Sequence, residues 1–131
     1  PVLLYLIGVA SAQQALASID DGVEAGYHGD AEQAYARAID IDPTYVDALY
    51  ALAVLLLYEM DRARDAESYI DRVLAAEPGN VDAMFVRAAL MAATGRPERA
   101  IEQYQVIIST SSSEERRERA RQNSIELEAR R

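Results

Sequence analysis

Apolar residues recur along this chain at spacings of three and four and nowhere alternate with polar ones long enough to build a strand, so the pattern predicts helices throughout. Breaks rich in glycine, proline or polar residues divide them: Gly26 and Gly29, Asp42-Pro43, the stretch 59–65, Pro78-Gly79-Asn80, Gly95-Arg96-Pro97 and the stretch 109–113. The predicted helices are 2–25, 30–41, 45–59, 63–76, 80–93, 97–109 and 113–130. Asp30 with Gln33, Thr44 with Asp47 and Ser112 with Glu115 have capping-box spacing, and Pro97 suits a first helical turn.

The breaks repeat. Pro43 and Pro78 stand 35 positions apart, and each is followed by Val-Asp-Ala, Val46-Asp47-Ala48 and Val81-Asp82-Ala83. Ala31, Tyr35, Ala38 and Pro43 have spacings of four, three and five; Ala66, Ile70, Val73 and Pro78 repeat them, and Ala100, Tyr104 and Ile107 repeat the first two. In the preceding helices Leu49, Leu52, Ala53 and Leu56 align with Met84, Arg87, Ala88 and Met91. Self-similarity at this period marks a solenoid of helix-turn-helix units, each burying the face its neighbour leaves open.

On these residues the chain resembles the tetratricopeptide-repeat family, whose unit carries large, large, small and large residues on its first helix and small, aromatic, small and proline on its second. The resemblance implies an all-α, right-handed helix-turn-helix solenoid of three repeats, 1–43, 44–78 and 79–112, with 113–131 as a capping helix. The second repeat has one extra residue near its turn, Arg87 stands where the family has an aliphatic residue, and Ser112 replaces the closing proline. In the first repeat the pattern fits Leu4, Ile7, Gly8 and Ser11 or, more poorly, Ala15, Ser18, Ile19 and Gly22. These sets lie 11 residues apart, close to three helical turns, so one elongated first helix over 2–25 is expected.

The candidate site follows from a surplus. Helix 45–59 is apolar nearly all round: beyond Leu49, Leu52, Ala53 and Leu56 it carries a second stripe of Tyr50, Val54, Leu57 and Tyr58. Helix 80–93 adds Phe85, Val86, Ala89 and Ala93 to its own core stripe. First helices line the concave surface in the family, so the resemblance places both second stripes in one groove, with Asp47 and Asp82 as an acidic rim. That arrangement suits an apolar or amphipathic segment of a partner protein, anchored on Tyr50, Tyr58 and Phe85. The alternative is that the stripes are covered within the chain or by a second copy, for instance by the apolar segment 2–10, which would make the protein a self-associating assembly element. The family's clamp for a C-terminal carboxylate uses Lys, Arg and Asn, and here those places hold Tyr50, Ala51, Val54, Phe85, Val86 and Ala89.

Composition removes most chemistry. The 131 residues hold 22 acids and 13 bases, every base an arginine, for a net charge of −9, with no Cys, no Lys, no Trp and one His. Disulfides, thiolate nucleophiles, Schiff bases and lysine-dependent phosphate loops are excluded. The charge runs from −7 over 1–47 through −3 over 48–95 to +1 over 96–131, which argues against nucleic acid or an anionic membrane as partner. Arg116, Arg117, Arg119 and Arg121 alternate with Glu114, Glu115 and Glu118 as on a solvated helix face. Neither Asp20-Asp21 nor Asp40 with Asp42 has the loop ligation of a calcium site. Arg87 calls for an acidic partner, Glu67 or Asp71. His28, placed in a turn between Gly26 and Gly29, reads as solvated, so neither metal nor cofactor is expected. A small-molecule substrate and an enzyme are not expected either; only a convergent set such as His28 beside two carboxylates in a cleft would support one. The run Val2 to Ala10 loosely imitates a signal peptide but lacks the basic leader and falls short of a membrane span, which favours a buried helix of the fold and a cytoplasmic protein over the remnant of an export signal or anchor.

Overall fold

The computed structural model describes residues 1–17 and 21–130. Its elements are α1 (Val2–Ala17), α2 (Asp21–Ile41), α3 (Val46–Val54) running on into a π-helical turn (Leu55–Glu59), α4 (Ala63–Ala76), α5 (Val81–Ala93), α6 (Pro97–Thr110) and α7 (Glu114–Ala129), with no strand among the described residues. Helices pack in sequence order, α1 on α2, α3 on α4 and α5 on α6, and each hairpin stacks on the next until α7 closes the array against α6.

The repeated small and large positions form the core. Ala31, Tyr35, Ala38, Ala66, Ile70, Val73, Ala100, Tyr104 and Ile107 are all buried, as are Leu49, Leu52, Ala53 and Leu56 on α3 and Met84, Ala88 and Met91 on α5. Alanines stand where helix axes approach, and the larger side chains fill the space between hairpins. Two ion pairs recur with the repeat: Arg62 at the start of α4 reaches Glu32 on α2 at 2.8 Å, and Arg96 at the start of α6 reaches Glu67 on α4 at 2.7 Å. Arg87 Nε stands 3.2 Å from Asp71 Oδ1, off the axis of a hydrogen bond.

The one extra residue of the second hairpin is absorbed inside a helix. Ala53 to Ala66 is 13 positions where Ala88 to Ala100 is 12, and the surplus becomes the π turn, in which Met60 N–H donates to the Leu55 carbonyl five residues back. Asp61 then takes the left-handed conformation at φ 51° where the third hairpin uses Gly95 at φ 76°.

The first hairpin departs from expectation. The helix expected over 2–25 ends at Ala17, and α2 begins at Asp21 and runs through Gly26 and Gly29, so neither glycine breaks a helix. The alternative alignment on Ser18 and Ile19 lies outside the described residues. The surplus of this repeat is divided between two antiparallel helices, and α2 reaches 21 residues where α4 and α6 have 14. Gly8 fixes the register: a Cβ there would stand 2.4 Å from the buried Tyr35 ring, so only glycine lets α1 approach α2 this closely.

The capping boxes are also corrected. Asp30 lies within α2; the Thr44 hydroxyl donates to Asp42 Oδ1 at 2.8 Å, and α3 starts one residue later without a side-chain cap. Ser113 rather than Ser112 caps α7, its hydroxyl accepting from Arg116 N–H at 3.2 Å. Pro97 does occupy the first turn of α6. The segment 2–10 is helical but only one face is covered: Leu4, Tyr5 and Val9 pack on the core, whereas Val2, Leu3, Leu6 and Ile7 are exposed. Among the described residues no helix is long and apolar enough to cross a membrane.

Candidate functional site

Residues of α1, α2 and α3 line a cleft of about 300 Å³: Tyr5, Ala12 and Leu16 from α1, Tyr50, Ala51 and Val54 from α3, and Tyr35 and His28 from α2, with Leu55 and Glu59 of the π turn. Tyr50 and Val54 of the second stripe turn toward this space because Leu49, Leu52, Ala53 and Leu56 are held by the core. At the other end Asp47, Tyr50, Glu77, Asn80 and Asp82 surround a second hollow, which gives that mouth its acidic character. Burial, then the Asp82 carboxylate, push the Tyr50 hydroxyl above the usual tyrosine range, against the opposing pull of Arg116 and Arg119.

The expected site residues divide into those that face solvent space and those already engaged. Asp47 is exposed, Tyr50 and Val54 are half-buried in the cleft wall, and Tyr58 is 58% exposed. Leu57 turns away from that cleft toward a hollow between the α3–α4 and α5–α6 turns, beside Asp61, Arg62 and Gly95. On α5 the picture changes. Val86 is buried in the core among Leu49, Ile70 and Leu90 and offers no surface to a ligand, which corrects its place on the groove stripe. Phe85 packs near Tyr104 with ring centroids 6.2 Å apart and lies under the Arg119 guanidinium of α7, 4.8 Å from its centroid. Asp82 pairs with Arg116 at 3.0 Å, and Ala89 borders a hollow shared with Asn123 and Leu127 of α7. α7 therefore occupies the α5 half of the expected groove, and the accessible apolar surface lies between α1 and α3. Arg116 and Arg119 accordingly do more than form a solvated face.

Sequence reasoning missed Tyr5, Ala12 and Leu16, because a single helix over 2–25 gave α1 no hairpin partner and so no defined inner side. The alignment on Leu4 and Gly8 carried the signal. It also misplaced His28, which is 6% exposed inside α2 and not in a turn. Glu24 and Glu59 stand beside it, with donor atoms of all three residues within 4.8 Å of one another.

Two family models described as tetratricopeptide repeat match the chain, one over residues 53–115 and one over residues 34–68. Nothing among curated protein sequences matches. Among solved structures, the crystallised TPR domain of P58(IPK) superposes with a TM-score of 0.70 at 21% identity, covering 93% of this chain and 32% of that crystallised chain.

Proposed function

From the premise that this chain belongs to the tetratricopeptide-repeat family, whose two matches together span residues 34–115, we propose that it binds an amphipathic segment of a partner protein in the cleft between α1 and α3. Tetratricopeptide repeats are protein-interaction modules, and all-α hairpins stacked as here are their architecture. In this reading 1–43, 44–78 and 79–112 are the repeats and 113–131 caps them, with no catalytic role for the chain. The observation that carries the binding mode is the cleft itself: Tyr5, Tyr50, Val54 and Ala51 present apolar and aromatic surface at one place, next to the carboxylates of Asp47 and Glu77. Tyr58, on the π turn, adds exposed aromatic surface beyond α3, whereas Leu57 serves the separate hollow beside Asp61 and Gly95. Phe85, Ala89 and Asp82 support it indirectly, since α7 holds them. Aromatic anchors contribute large area at small entropic cost, and the rim acids favour a segment with basic residues on its polar face.

The test is titration of labelled amphipathic helical peptides whose polar face is basic in one and acidic in the other. The basic peptide is expected to bind, and Tyr50→Ala to weaken it about tenfold or more with an unchanged helical circular dichroism spectrum. Equal affinity of the variant, or preference for the acidic peptide, would remove the reading.

A second reading rests on the exposed face of α1, where Val2, Leu3, Leu6 and Ile7 form an apolar patch at one end of the array. Pairing of that face with a second copy would make the chain a self-associating element. Light scattering at rising concentration separates the two readings: a strict monomer rules this one out.

A further inference from the structure

We propose that Glu24, His28 and Glu59 form a binding site for a divalent transition cation of the zinc class. Glu24 and His28 are four residues apart on α2, so their side chains project from one face one turn apart, the spacing by which a helix presents two ligands to one ion. Glu59 is the last residue of the π turn and arrives from the neighbouring hairpin. Donor atoms of all three lie within 4.8 Å of one another.

The independent observation is the imidazole. His28 is buried, and its Nε2 has no hydrogen-bond partner among the described residues; Glu59 Oε2 is 4.0 Å away, too far for a hydrogen bond. Buried polar atoms are almost always partnered, so an orphaned ring nitrogen aimed between two carboxylates calls for a third party. A cation accepts the nitrogen lone pair and both carboxylates at once.

The donor set selects the ion. One imidazole and two carboxylates suit zinc and its neighbours, whose catalytic-type sites take three protein ligands and leave a fourth position open. Calcium asks for six to eight oxygens and magnesium for an octahedral shell, neither of which this cluster supplies. Two carboxylates also balance the double charge of the cation. Ligand atoms around a tetrahedral zinc at about 2.1 Å stand about 3.4 Å apart, so the side chains need to close by roughly 1 Å. Glu59, with 39% of its side chain exposed, has the freedom to do so while His28 stays fixed. His28 and Glu59 both line the cleft between α1 and α3.

Two departures from repeat regularity create the site. The lengthened α2 supplies Glu24 and His28 from a segment before Ala31, and the one-residue surplus of the second hairpin supplies the π turn that ends in Glu59. π turns gather at functional sites, where the wider turn re-aims side chains.

Chain stripped with a chelator and titrated with zinc ions in a calorimeter is expected to take up one equivalent. Saturating zinc, at about a hundred times the dissociation constant, should raise the melting temperature by roughly 5–10 °C. Cobalt(II) added in its place should give visible d–d bands that zinc abolishes. Glu59→Gln, exposed enough to leave the fold intact, should weaken zinc more than tenfold, and His28→Gln should remove the stoichiometric site. No uptake at one equivalent, or uptake unchanged in Glu59→Gln, overturns the proposal, as does an equal response to calcium. The peptide-binding test reads the cleft in metal-free protein, so failure of either proposal is recognised separately.

Discussion

The first hairpin, α1–α2, and the third, α5–α6, share a repeat yet differ in length and fit. In both a small residue of the first helix meets the aromatic of the second: Ala88 shares a buried cluster with Tyr104, and Gly8 lies directly against the Tyr35 ring. The third hairpin has helices of 13 and 14 residues, the first of 16 and 21. The repeat pattern therefore dictates where helices approach, and leaves their reach beyond that point open. In the first hairpin the added length carries an imidazole and a carboxylate that no other repeat position supplies.

Three measurements bear on that contrast. The largest effect is expected at Gly8→Ala, where the new methyl has no room beside a ring that is itself enclosed; urea denaturation should show a loss of about 1–3 kcal/mol. Ala88→Gly in the third hairpin should cost about 1–2 kcal/mol, through backbone freedom and the loss of a buried methyl, with no clash. If Gly8→Ala proves neutral, the close approach of α1 to α2 is wrong.

Alkaline pH separates the two aromatics. Burial, with the neighbouring Tyr5, pushes the Tyr35 hydroxyl up to about 12. Below pH 10 both folded and unfolded chains keep this proton; between 10 and 12 the unfolded chain releases it first, so stability falls by roughly 1.4 kcal/mol per pH unit. Tyr35→Phe should flatten that decline in melts recorded across the window. Tyr104 is also raised by burial, but a hydrogen bond from Asn123 and the charges of Arg119 and Arg130 oppose it, so Tyr104→Phe should matter less.

The smallest effect is a gain. A Cβ at Gly29 would meet nothing within 4 Å, and the residue lies inside α2, so Gly29→Ala should add about 0.5–1 kcal/mol. A melting temperature that falls would mean that α2 is interrupted there after all.

These contrasts show what was legible in the sequence. Ala66, Ile70 and Val73 could be placed because burial follows the helical period, and a one-residue surplus before Ala66 could be counted. Counting could not say where that surplus would go: a π turn, a longer loop and a kink have the same length. Gly26 and Gly29 misled because a glycine costs an isolated helix about 1 kcal/mol, a deficit that packing of α2 on α1 readily offsets. Val86 looked equivalent to Phe85 since neighbouring positions on a helix lie about 100° apart, and only the stacking of α5 on the second hairpin distinguishes core from surface there. The occupation of the α5 surface by α7 was hidden because Arg116 and Arg119 read equally well as solvated residues.

Substantial packing in this molecule runs almost entirely between helices adjacent in the chain, with only small skips such as that from α3 to α5. The kinetic counterpart is a low contact order: no helix waits for a distant segment before it can dock, and loop closure costs little at each step. A chain emerging from the ribosome can complete one hairpin while the next is still being made, and folding can start in any hairpin and spread to its neighbours. The Glu59 side chain is the exception within the proposed metal site, since it reaches back some 30 positions to His28. Ion uptake would therefore come after the second hairpin has docked on the first, as a late step that locks an array already formed.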